Sequence, residues 1–159
     1  MTRIAALIDQ LERAPDLVIP LVREMPPALL KQRPSPGKWS AHEHACHLSR
    51  VDELYLHRLD HILKHAAPTI EPYDPAYSEP EDAFLNMDLD RSLERYVEQR
   101  RVLVTRLRTL SPDTWQRTAE HPEYSHYSVF IMFRHVALHD FFHAYRIEEL
   151  VLKRDWATT

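Results

Sequence analysis

A chain of 159 residues with a single glycine has almost no backbone that can close around a phosphate. That glycine, Gly37, is taken up by a Pro-Gly turn. Phosphate-cradling loops and dinucleotide fingerprints need several glycines, so the composition argues against both. Twelve prolines punctuate the chain instead, mostly between segments of helical periodicity.

Four such segments can be read. Ile4, Leu7, Ile8 and Leu11 recur at helical spacing, and Leu17, Val18, Leu21 and Val22 carry the pattern to about Glu24. Pro20 predicts that this stretch is either a kinked helix or two short ones, ended by Pro26-Pro27. A connector follows, with one turn expected around Ala28 to Lys31. The second helix opens on a capping box, Ser40-Ala41-His42-Glu43, and should run from Ala41 to about His65. Its inward stripe reads His44/His47, Val51, Leu54/Tyr55, Arg58/Leu59 and Ile62.

A third helix is expected over roughly Asp88 to Leu110, with Leu93, Tyr96, Val97, Val102, Leu103 and Leu107 among its apolar contacts, ended by Ser111-Pro112. An irregular stretch then leads to the last helix, about Ser128 to Lys153. Met132, Val136, His139, His143, Ile147 and Leu150 line one side of it. Nothing reads as a strand longer than a few residues, and no internal repeat is visible. The expected fold class is therefore all-α, a four-helix bundle in a single domain over 1–159. The proline-rich, acidic stretch from Ala67 to about Met87 is far longer than the usual link between antiparallel neighbours. A connection of that length can cross the bundle end to end, which lets helices two and three run parallel.

The formal charge of −4 argues against a nucleic-acid-binding surface. One cysteine, Cys46, cannot form an internal disulfide and fits a reducing compartment. No apolar run reaches the roughly 18 residues needed to span a bilayer, and the opening segment mixes charge into its apolar positions. A cytoplasmic protein with a small-molecule substrate, no nucleic-acid partner and no membrane is the expectation.

The chemistry must then come from the eleven histidines. His139 and His143 lie one helical turn apart and project from one face, where two imidazoles can hold one divalent cation. A third imidazole from a facing helix would complete a site with an open position. Spacing alone leaves rivals: His135/His139 competes with His139/His143, and His44 competes with His47. His42, His57, His61, His65, His121 and His126 read as surface or loop residues. The segment His42-Glu43-His44-Ala45-Cys46 begins like a zincin motif, but a cysteine stands where the second histidine belongs. Cys46 points away from His47 and reads as a core residue.

Two segments resemble the DinB-like superfamily of bacterial four-helix-bundle proteins. The first is Pro36-Gly37-Lys38-Trp39-Ser40-Ala41-His42-Glu43 followed by His47-Leu48. The second is His121-Pro122-Glu123-Tyr124 followed by His139-Asp140 and His143. The resemblance implies that His47, His139 and His143 bind a divalent metal, Zn or Ni, and that His44 and His135 are neighbours. It also implies an up-down-down-up bundle and homodimers in many members. Ser125 and Arg146 depart from the family pattern, which commonly has glycine and glutamine there.

Arg146 shares the ligand-bearing face and is a candidate for holding an anionic substrate group, against a simple salt bridge. Glu43, one turn before His47, is the candidate general base, although capping competes for it. Asp140 points off the ligand face and reads as support for a ligand. The resemblance further implies a metal-dependent enzyme using a low-molecular-weight thiol as cosubstrate, an S-transferase or isomerase. The alternatives are a metal-dependent hydrolase, a non-catalytic metal- or ligand-binding protein, and a bundle with purely structural histidines.

Overall fold

The computed structural model describes residues 2–74, 78–153 and 155. Among these residues four long helices and one short one form: α1 (Arg3–Glu24), α2 (Ala41–Lys64), α3 (Leu89–Arg108), α4 (Pro112–Gln116) and α5 (Val129–Leu152). Each has an N-cap whose side chain accepts a bond from a backbone amide of the first turn: Thr2, Ser40, Asp88, Ser111 and Ser128. The expected irregular stretch after α3 thus contains a helical turn. Ser111 and Pro112, read as a stop, also start α4, because proline is pre-set for a first helical position. Part of the expected connection, 75–77, lies outside the described residues.

α1 runs as one helix through Pro15 and Pro20, not as two. Pro20 is exposed, so the carbonyl it leaves without a helical donor can turn to water. Pro15 is buried, and the carbonyl it frees belongs to Leu11. Arg100 of α3 donates an Nη1 hydrogen to that oxygen at 2.7 Å. A proline that should weaken the helix therefore creates the acceptor that ties α1 to α3.

α2 and α1 each pack against α3 and α5, so the two consecutive helices face each other across the bundle. From Glu53 on Arg95 to Asp60 on Arg106 the ion pairs between α2 and α3 move the same way along both helices. Across α2 and α5 the order reverses, with His44 on His143, His47 on His139 and Tyr55 near Phe133. The apolar interior divides into two clusters. One contains Leu11, Leu59, Leu103, Met132 and Phe133, and the other Val18, Leu48, Tyr96, Ala144 and Ile147. Val97 and Val102, expected to be apolar contacts, instead face solvent on the outer side of α3.

Between the clusters lies a buried ionic layer. Arg100 bonds both oxygens of Asp52 on α2, at 2.8 and 3.1 Å, and both of Asp140 on α5, at 2.7 and 3.1 Å. All three side chains are buried. Burial favours the neutral carboxyl and pushes both aspartates up, against the pull of the guanidinium. One arginine thus clamps the two helices that carry His47 and His139, a few residues from each.

Candidate metal centre

The site begins at the α2 N-terminus. Ser40 Oγ accepts from the Glu43 amide, while Glu43 accepts from the Ser40 amide at 2.9 Å and hydroxyl at 2.8 Å. Trp39, just before the cap, packs its ring 5.5 Å from His44, the arrangement of a hydrophobic staple. The same indole lies 5.1 Å from His47 and stacks on His143 at 5.9 Å. Phe84, from the connection before α3, closes the other side of His47 at 5.2 Å. The imidazoles are therefore walled by aromatic rings.

Inside that wall three nitrogens converge. His139 Nε2 lies 3.1 Å from His47 Nε2 and 3.0 Å from His143 Nε2. The ligand atoms of His47, His139 and His143 all lie within 4.8 Å of one another. A neutral imidazole nitrogen either donates one hydrogen or accepts with one lone pair, so His139 Nε2 cannot serve both neighbours well. The Nδ1 atoms of His47 and His139 are buried with no hydrogen-bond partner among the described residues. Three Nε2 atoms facing a common point, with too few hydrogens and lone pairs to satisfy one another, are costly without an ion and well suited to one. The donor set is all imidazole, which fits Zn²⁺ or Ni²⁺ better than a hard cation.

Burial first, with neighbouring cations or imidazoles adding to it, holds these rings neutral. His44 and His139 are pushed down to about 4, His47 to about 3, and His143 well below its ordinary value. Their folded values lie below the unfolded 6.5, so the unfolded chain binds more protons in the window between. Their contribution to stability is complete above 6.5 and is lost as pH falls towards 4 and 3. Urea titrations of metal-free protein should show the unfolding free energy dropping from about pH 6.5 to 4.5, above the usual carboxylate range. A flat profile there, or the same slope in H44A/H47A, would contradict the buried neutral cluster.

His44 is not one of the three converging rings. Its Nδ1 lies 2.7 Å from Nδ1 of His143, and both rings are buried. With a cation at the three Nε2 atoms, His143 must carry its hydrogen on Nδ1 and donate it to His44. That bond fixes the tautomer and orientation of His143. His44→Ala should therefore weaken metal binding by about 10- to 100-fold in chelator competition while leaving one equivalent bound. Complete loss of metal would make His44 a ligand.

The other expected positions are distributed as follows. His135 is half-buried against Tyr124 and Tyr127 and stands apart from the cluster. His42, expected at the surface, is buried, and its Nε2 meets the Met87 carbonyl at 3.1 Å, tying α2 to the segment before α3. Cys46 is fully buried, and burial pushes its thiol up to about 11. Glu43 is buried and receives a two-pronged ion pair from Arg33 besides the Ser40 bonds. Burial raises its pKa, but Arg33 and Ser40 outweigh that and hold it below the usual range. Both of its oxygens are engaged by Arg33 and Ser40, as those of a cap and ion-pair partner are. Asp140 faces Arg100 and not an imidazole. Arg146 pairs with Glu149 yet also lines the cleft beside His143.

Two clefts open onto the cluster, and both are lined by His47 and His139. One, of about 590 Å³, is bordered by Lys38, Trp39, Phe142 and Arg146. The other, of about 500 Å³, runs along α2 past Arg50 and Tyr55 to Arg58. No helix among the described residues is long and apolar enough to cross a membrane.

Fold and site together define a helical bundle with a three-histidine centre for a divalent metal, open on two sides. The chain belongs to the DinB superfamily, whose family model matches residues 10–147. No curated protein matches it. Among solved structures it is similar to YfiT from Bacillus subtilis, described as a probable metal-dependent hydrolase with an unusual four-helix bundle topology. That match has a TM-score of 0.84 at 24% identity and covers 98% of this chain and 91% of YfiT. At that identity the likeness speaks to fold.

Proposed function

We propose that the chain is a divalent-metal enzyme of the thiol-dependent transferase or isomerase type, with His47, His139 and His143 as ligands. The observation that carries this reading is the pair of clefts meeting at the cluster. A hydrolase needs one organic substrate and water, whereas a transfer needs room for two reactants. A bound Zn²⁺ or Ni²⁺ would acidify a thiol or water, or polarise a carbonyl.

The chain's own residues supply the rest. Trp39 and Phe84 exclude water from the rings, His44 orients His143, and the Arg100 clamp fixes the spacing between α2 and α5. The two carboxylates adjoining the ligands, Glu43 and Asp140, are both committed to arginines. That weakens general-base hydrolysis, because a base needs a free lone pair within reach of the reacting water.

Hydrolysis is the second reading, favoured by the description of YfiT. Untagged protein with measured metal content, titrated with small thiols and then assayed with thiol-electrophile pairs and with ester and amide substrates, separates the two. Saturable thiol binding that requires metal, together with transfer, supports the proposal. Ester or amide turnover without thiol binding supports the hydrolase. Full metal occupancy with neither makes it a binding protein.

The reading extends to a cytoplasmic homodimer. Leu138, Phe142 and Tyr145 are more than half exposed along the outer face of α5, an apolar stripe suited to a second copy. Sedimentation of L138E/Y145E should then give a monomer where the parent chain gives a dimer.

A further inference from the structure

We infer that the cleft along α2 is a binding site for the anionic end of a substrate, with Arg58 as its anchor. The inference deepens the enzyme reading by naming a chemical class for one reactant, and it rests on that reading only in placing the reacting end at the histidines.

The charge balance of the cleft carries the argument. Three guanidinium groups line it, those of Arg50, Arg58 and Arg95, against two carboxylates, Glu53 and Glu79. The pairing is already complete without Arg58. Arg50 Nη1 bonds both oxygens of Glu79, at 3.1 and 3.0 Å, and Glu79 also accepts from the Tyr73 hydroxyl at 3.0 Å. Arg95 pairs with Glu53. Arg58 gives one Nη2 hydrogen to the Glu71 carbonyl at 2.7 Å and lies 5.1 Å from the centre of the Tyr55 ring. A guanidinium has five N–H donors in a planar fork, so most of this one remains uncommitted to any carboxylate. The cleft therefore holds one positive charge that its own acids do not neutralise.

Direction and reach follow from the helix. His47 and Arg58 stand three turns apart on α2, roughly 16 Å along its axis. The Arg58 head leans back over Tyr55, one turn nearer to His47, as helical side chains do. The gap left between the guanidinium and the imidazoles is on the order of 10 Å. Such a span suits an extended molecule with an anionic group at one end and its reacting group at the other. A carboxylate or a phosphate matches the planar, two-pronged donor of arginine.

The test is isothermal titration of metal-loaded protein with adipate, pimelate and suberate, each against the monocarboxylate of equal chain length. One carboxylate is common to each pair, and the second is the group in question. The dicarboxylate of best length should bind at least tenfold more tightly than its partner. In R58Q the two should become equal, with monocarboxylate affinity and metal content unchanged, and R58K should restore part of the difference. Equal or tighter binding of the monocarboxylate, or an R58Q variant that keeps the difference, overturns the anchor. So does a failure of all six acids to bind. Thiol binding is measured separately. An Arg58-dependent dicarboxylate preference without thiol binding would retain the anion site and remove the thiol assignment. Thiol binding without the preference would do the reverse.

Discussion

Alanine at His139 should lower the metal carried by untagged protein from one equivalent to a trace, with affinity falling on the order of a thousandfold. His139 is the strongest test because its Nε2 is the atom that meets both other rings, at 3.1 and 3.0 Å. Removing it leaves His47 and His143 as two donors on different helices. His143→Ala should behave alike and should in addition strand the Nδ1 of His44. His135→Ala, one turn earlier on the same helix, should keep full metal. Melting temperature in metal and in chelator supplies a second readout: the parent chain loses stability on chelation, and H139A should no longer respond. If H139A retains its metal, the ligand assignment is wrong.

Alanine at Arg100 should have the largest effect on folding, a loss on the order of 3–5 kcal/mol. It leaves Asp52 and Asp140 buried, facing each other and without a counter-charge, and it strips the Leu11 carbonyl of its donor. Arg100→Lys should recover only part, since one ammonium cannot bond four carboxylate oxygens in a plane. The apolar triple D52L/R100M/D140L should restore much of the stability, because the cost lies in the unpaired charge and not in the loss of attraction. Urea denaturation of the three variants, with metal affinity measured in parallel, separates the two roles of the layer. If R100A is as stable as the parent, the ionic clamp holds nothing together.

Much of this molecule was legible in the chain. Helix periodicity located the four long helices to within a few residues, since their apolar stripes face two buried clusters. The capping box at Ser40 was legible because it needs only four consecutive residues. Long-range partners were not. Nothing local to Glu43 announces Arg33, ten residues away in the connector before α2, so its engagement appears only in the fold. Nothing local to Arg100 announces two aspartates 48 and 40 residues distant. His42 was misplaced because its acceptor, the Met87 carbonyl, is a backbone atom with no sequence signature. The rival pairs of histidines show the same limit. Periodicity gave the faces, resemblance chose among them, and only the assembled bundle gives His44 a position behind His143. Trp39 had a local signal, the position before a cap, which suits a residue that packs back onto the first turn.

One consequence concerns Pro15. Replacing it with alanine is an obvious route to a sturdier α1, since proline inside a helix is disfavoured by about 3 kcal/mol relative to alanine. Here the amide hydrogen that alanine would supply competes with Arg100 for the Leu11 oxygen. The better helix would loosen the arginine that sets the distance between His47 and His139. An engineer screening for heat resistance would favour that substitution, and an assay of metal retention would reject it. α1 contributes no ligand, yet the permitted sequences of this helix are restricted by the ion that α2 and α5 hold.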